Sequence, residues 1–237
     1  EFRRVLFRSS SVSMYIPLYD RTNISLYSQN FDDATWTKSG STTITGNNAI
    51  APDGTLTSDL VVSGYNEGIN QSISVDSGNT YTVSIYVKGV SGPLTASTLD
   101  LQFIDTANSS IAYVDANTVS GNVISSSNVI SSGSINAGND WHRLWMTYVP
   151  DSNTISISTV SKTLGTSEFY AWGLQVEKSD VLTSYIPTYS SAQTFGPDIW
   201  QINKSNNVIV FENLAGANIA NIVFANSSIV DVKPTNG

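Results

Sequence analysis

The chain has 237 residues, no Cys, and 19 acidic against 11 basic side chains, for a formal net charge of -8. That balance gives no surface for a phosphate backbone, so nucleic acid and anionic membranes are excluded as expected partners. No apolar run is long enough to cross a bilayer, and the length allows one β-domain with its own core plus part of a second.

Residues 1–9, EFRRVLFRS, read as the translated end of a short-read sequencing adapter and are set aside as an artefact of an environmental sequence. Residues 10–19 form a lead-in, or the remnant of an upstream module. The second option arises because Tyr15-Ile16-Pro17 repeats in Tyr185-Ile186-Pro187.

From there the pattern is of strands. Ile73 and Val75 alternate with Ser72 and Ser74, and Asp76-Ser77-Gly78-Asn79 supplies a turn. Tyr81, Val83, Ile85 and Val87 then make an apolar face against Thr82, Ser84, Tyr86 and Lys88. Leu99, Leu101 and Phe103 continue it, with Asp100 and Gln102 facing the other way. Residues 105–140 are rich in Ser, Asn and Gly and read as irregular loop with brief edge strands. In the next strand His142, Leu144, Met146 and Tyr148 oppose Arg143, Trp145 and Thr147. The closing strand is expected to point Tyr170, Trp172, Leu174 and Val176 to the core, and Ala171, Gly173, Gln175 and Glu177 away from it. Pro187 lacks a donor and ends the ladder. Residues 190–237 read as a linker and the start of a truncated β-module. No stretch sustains a helical period, so helix is expected to be nearly absent.

Several motifs carry a resemblance. Arg21-Thr22-Asn23 with the following Ile24 to Phe31 resembles the RTNLLLYSEDF opening of a jelly-roll module recurrent in tailed-phage fibre and head-spike proteins. Asp33 to Lys38 resembles its NAAWTK, Ala51 to Thr55 its APDGT turn, and Gly138 to Arg143 its GNGWYR, with His142 where Tyr is usual. Those modules are similar to the carbohydrate-binding modules attached to xylanases and cellulases. The resemblance implies an all-β antiparallel sandwich of jelly-roll type over residues 20–189. It also implies glycan recognition outside the cell, on a virion whose fibre assembles as a trimer. Two alternatives stay open: a purely structural virion module without ligand, and an accessory module of a secreted polysaccharide-degrading enzyme.

No enzyme is expected. His142 is the only His and lies on an apolar strand face, and the Asp and Glu residues cluster in turns. Sugar binding needs an aromatic face for C–H surfaces beside polar groups for hydroxyls. The candidates are Tyr86, Arg143 and Trp145, with Asp100, Gln102 and Gln175 joining them if their strands neighbour one another. The resemblance further implies a structural calcium ion between the first and last strands, which would use Asp32 and Glu177.

Overall fold

The computed structural model describes residues 15–16, 21–90, 98–107, 109–195, 200–205, 208–212, 218–225 and 228–234, with side chains described between 21 and 194. Residues 1–9 lie outside the described residues, and no helix occurs among those described. The first strands are β1 (Tyr15–Ile16), β2 (Arg21–Asn23), β3 (Thr37–Lys38), β4 (Thr43–Ala49), β5 (Ser58–Ser63), β6 (Gly68–Ser74) and β7 (Tyr81–Gly89). Next come β8 (Thr98–Asp105), β9 (Ile111–Asn117), β10 (Val123–Ser127), β11 (Ser131–Gly138), β12 (Trp141–Tyr148), β13 (Thr154–Ser161) and β14 (Ser167–Glu177). The last are β15 (Gln193–Phe195), β16 (Trp200–Ser205), β17 (Val208–Glu212), β18 (Asn218–Ala225) and β19 (Ser228–Pro234).

The chain divides into two compact units, and Arg21–Thr194 is the larger. It reaches past Tyr189 because β15 pairs with β2. The other unit holds a five-stranded sheet in the order β1-β16-β17-β18-β19, with Tyr15 opposite Gln201. Tyr15–Ile16 is therefore strand whereas Tyr185 and Ile186 are not, so the repeated YIP sequence does not bring a repeated structure.

Two antiparallel sheets build the larger unit, an all-β sandwich as the alternation predicts. The first has the order β10-β9-β8-β13-β6-β3 and the second β11-β12-β7-β14-β5-β4. Their inner faces meet through Leu99, Leu101, Phe103, Ile155 and Ile157 on one side and Val83, Ile85, Leu144 and Met146 on the other, all fully buried. Each such side chain contributes about 1.5–3 kcal/mol relative to exposure.

Two expectations are corrected. Residues 105–140 are not mainly loop: β9, β10 and β11 span much of them. The inward residues of β9 are Ala112, Val114 and Ala116, small enough to hide the alternation, although each is fully buried. In β14 the face assignment holds only for its second half. The register shifts between Trp172 and Gln175, where Gly173 takes φ +64°. Such a bulge places two residues opposite one and turns the following side chains over. Phe169 and Ala171 therefore point into the core with Leu174 and Val176, while Tyr170 and Trp172 share the outer side with Gln175 and Glu177.

On that outer side lies a second, smaller apolar cluster of Ala51, Trp141 and Trp172, flanked by Tyr86, Tyr170 and Tyr185. Two of the sequence motifs meet there. Thr55 donates N–H and Oγ1–H to Asp53 Oδ1, closing the turn that carries Ala51. Asn139 and Asp140, both at positive φ, form the two-residue turn that delivers Trp141 to β12. Trp141 Nε1 donates to Ile50 O at 3.1 Å and Trp172 Nε1 to Thr57 Oγ1 at 3.0 Å.

Candidate functional site

The sandwich separates the six residues expected to share one sugar-binding face. Asp100 and Gln102 lie on β8 in the first sheet, whereas Tyr86, Arg143, Trp145 and Gln175 lie on β7, β12 and β14 in the second. The two groups occupy opposite outer faces, because β8 never neighbours β7, β12 or β14.

On the second sheet, the segment after β14 crosses the candidate residues. Arg143 Nη1 donates to Thr183 O at 2.6 Å, and its Nε and Nη2 donate to Ser84 Oγ. Its guanidinium stacks 5.0 Å from the Tyr86 ring centre, and only 6% of the residue is exposed. Burial lowers its pKa, a trend the neighbouring Tyr86 and Glu177 oppose. Gln175 is fully buried; its Nε2 donates to Ser184 O and its Oε1 accepts Ile186 N–H. Tyr86 packs against Trp172 and Tyr185. Arg143 and Gln175 hold the exit strap through Thr183, Ser184 and Ile186. Trp145 is half-buried on the same side, its indole so close over Gly133 that an added Cβ would lie 2.9 Å from Nε1.

Among the described residues, an open concavity lies on the first sheet. It is a groove of about 410 Å³ lined by Tyr65, Asp100, Gln102, Tyr113, Asp115 and Lys162, with Ile111 and Ser125 at its β10 side. Register explains the grouping. Asp100 on β8 is opposite Asp115 on β9, and Gln102 is opposite Tyr113. Ser125 on β10 is opposite Asp115, and Ser158 on β13 is opposite Gln102. Cross-strand partners stand about 4.5–5.5 Å apart at Cβ, so these side chains form two polar rows with a phenol in one. Tyr65 enters from the turn before β6 and is 50% exposed.

Asp100 Oδ2 accepts Gln102 Nε2 at 3.1 Å and lies 3.4 Å from Lys162 Nζ. Burial raises its pKa, and Gln102 and Lys162 pull it back. Asp115 is pushed up to about 6, first by burial and then by the charge of Asp100. Sequence reasoning missed Tyr65, Tyr113, Asp115 and Lys162; Tyr113 and Asp115 lie in the stretch read as irregular loop with brief edge strands. The available signal was the alternation of Tyr113 and Asp115 with Ala112, Val114 and Ala116.

His142 is 8% exposed, and its Nε2 hydrogen-bonds with Val119 O at 3.1 Å, away from any groove carboxylate. The calcium donor pair does not fit. Glu177 already accepts Thr183 N–H, Thr183 Oγ1–H and Gln175 Nε2–H, whereas the Asp32 carboxylate lies against Gly46. Among the described residues no three His, Asp or Glu side chains are placed to share a metal ion.

No protein-family model matches the sequence, and no curated protein matches it. Similar solved structures include the CBM22-1 xylan-binding domain from Paenibacillus barcinonensis, at 15% identity over 72% of this chain and 99% of that one, with a TM-score of 0.43. A CBM61 module in complex with β-1,4-galactotriose is similar at 12% identity over 66% and 99%, with a TM-score of 0.44. The CBM22-1–GH10 modules of a Clostridium thermocellum endo-1,4-β-D-xylanase, complexed with xylohexaose, are similar at 15% identity over 73% of this chain. The match covers 30% of that xylanase chain, with a TM-score of 0.42.

Proposed function

We propose that this protein is a non-catalytic glycan-recognition module, and that it takes its sugar in the groove of the first sheet. The observation that carries this reading is the groove's lining: two phenol rings beside a ladder of carboxylate, amide and ammonium groups. A pyranose ring needs that combination, because its C–H face is apolar and its edge is ringed by hydroxyls. The two carboxylates rise from neighbouring strands of one sheet and approach a ligand from the same side. The motifs shared with phage fibre and head-spike modules support display on a virion fibre, spike or tail outside the cell. A trimeric assembly rests on the same analogy.

A glycan array with the full chain, followed by affinity measurements on the best saccharide, tests this reading. Tyr65→Ala is expected to weaken binding by about tenfold or more, an energy of ~1.4 kcal/mol. Its half-exposed ring should cost the fold no more than ~0.5 kcal/mol. Trp145→Ala, on the opposite face, should leave the affinity unchanged. Loss of binding in Trp145→Ala with Tyr65→Ala unaffected would move the site to the second sheet. A wild-type chain that binds no saccharide would favour the purely structural virion module.

A further inference from the structure

The two groove carboxylates are not served alike. Lys162 lies 3.4 Å from Asp100 and also donates to Asn66 Oδ1, and Gln102 donates to Asp100 as well. Asp115 has no ion pair and no hydrogen bond from any described residue, and its Oδ1 is buried without a partner. The groups that face it are Asp100 on β8, Tyr113 on its own strand and Ser125 on β10, with the Lys162 charge beyond ion-pair distance. Like charges directly opposite one another across a strand pair destabilise a sheet. A ligand that dries the groove raises the cost further, since a buried carboxylate without a counter-charge is expensive.

A sugar hydroxyl can donate a hydrogen bond to Asp115 but brings no charge. A ligand ammonium does both and brings the groove, which holds Asp100, Asp115 and Lys162, close to neutrality. A uronate or sialate would add a third negative charge. We infer that the glycan bound here carries a free, protonated amino group, as on a 2-amino-2-deoxyhexose. That group is seated at Asp115 with the sugar ring against Tyr113. The inference rests on the glycan-binding reading above and names the class of sugar.

Calorimetry with glucosamine oligomers, N-acetylglucosamine oligomers of equal length and uronate oligomers tests it at pH 7. The amino oligomers are expected to bind about tenfold or more tighter than the N-acetylated ones, ~1.4 kcal/mol in binding energy, and the uronates to bind weakest. Asp115→Asn should bring the amino and N-acetyl affinities together while retaining the weaker binding. The exposed Asp180→Asn removes the same charge elsewhere on this acidic chain and should leave the preference intact. Amino-oligomer affinity should also fall as the pH drops through about 6, where Asp115 gains its proton. Equal or tighter binding of N-acetylated or other neutral oligomers would overturn the amino-sugar inference while leaving glycan recognition in place. Equal losses in Asp115→Asn and Asp180→Asn would reduce the preference to general charge attraction and overturn it too. Failure of every saccharide, here and on the array, would overturn both.

Discussion

Asn23→Ala is expected to destabilise the protein by roughly 3–5 kcal/mol, because each buried polar group it would orphan costs about 1–3 kcal/mol. Asn23 is fully buried, and its one side chain ties three segments together. Nδ2 donates to Leu174 O at 3.1 Å and to Ile186 O at 2.8 Å. Oδ1 accepts Val176 N–H at 3.0 Å as well as the N–H and Oγ–H of Ser25. The single Ser25 Oγ–H also lies within reach of Leu174 O at 3.0 Å and turns to it in the variant, so that carbonyl keeps a partner, but Ile186 O and Val176 N–H lose theirs. The first strand, the bulged closing strand and the exit strap would all loosen together. Denaturant unfolding of wild type and variant measures this, and a loss below about 1 kcal/mol would show that water replaces the amide.

The second large effect depends on pH. Asp59 is fully buried, with Oδ2 accepting Phe31 N–H at 2.6 Å and Oδ1 accepting Asn47 N–H at 2.9 Å. Burial dominates and raises its pKa from 3.8 to about 6; the backbone N–H groups oppose this, and the Asp32 charge adds to it. The folded state therefore binds the proton more tightly than the unfolded chain between those values. This contribution to stability is fully present below the unfolded pKa and is lost as pH rises through about 6, a change of roughly 3 kcal/mol. Asp115 shifts in the same direction, whereas Asp105, which burial pushes up, is held below its ordinary value by hydrogen bonds from Ser152 and from the N–H groups of Ala107 and Asp151. Comparison with Asp59→Asn isolates the residue. Asn turns an N–H towards one of the two backbone donors and costs stability at every pH, but it removes the slope. The gap between wild type and variant should be widest near pH 4 and narrow towards pH 7. A constant gap would mean that the backbone donors keep Asp59 ionised throughout.

Strands with one large apolar face were legible in the sequence. Val83, Ile85 and Val87 on β7 and Leu144, Met146 and Tyr148 on β12 alternate with polar residues and are buried as the period requires. The turn at Asp53 and Thr55 was legible because it acts through local backbone geometry, whereas Asn139 and Asp140 were legible only as part of a motif. The rest depended on pairings that no local pattern encodes. Asp100 and Gln175 look alike along the chain, yet β8 and β14 belong to different sheets. Gly173 inverts half of β14, and its bulge cannot be told from an ordinary strand glycine without the partner β7. The groove itself stayed hidden because β9 buries Ala112, Val114 and Ala116. Small inward residues made the strand that carries Tyr113 and Asp115 read as loop.

The most direct test of the groove is an amide chemical-shift titration of the full chain with the tightest-binding saccharide from the array. Glycan recognition in the groove predicts saturable shifts on β8 and β9 around Asp100, Gln102, Tyr113 and Asp115, and at Tyr65 and Lys162. The amides around Trp145 and Gly133 should stay still. Shifts gathered at Trp145, Gly133 and the exit strap, with β8 and β9 unmoved, would contradict it.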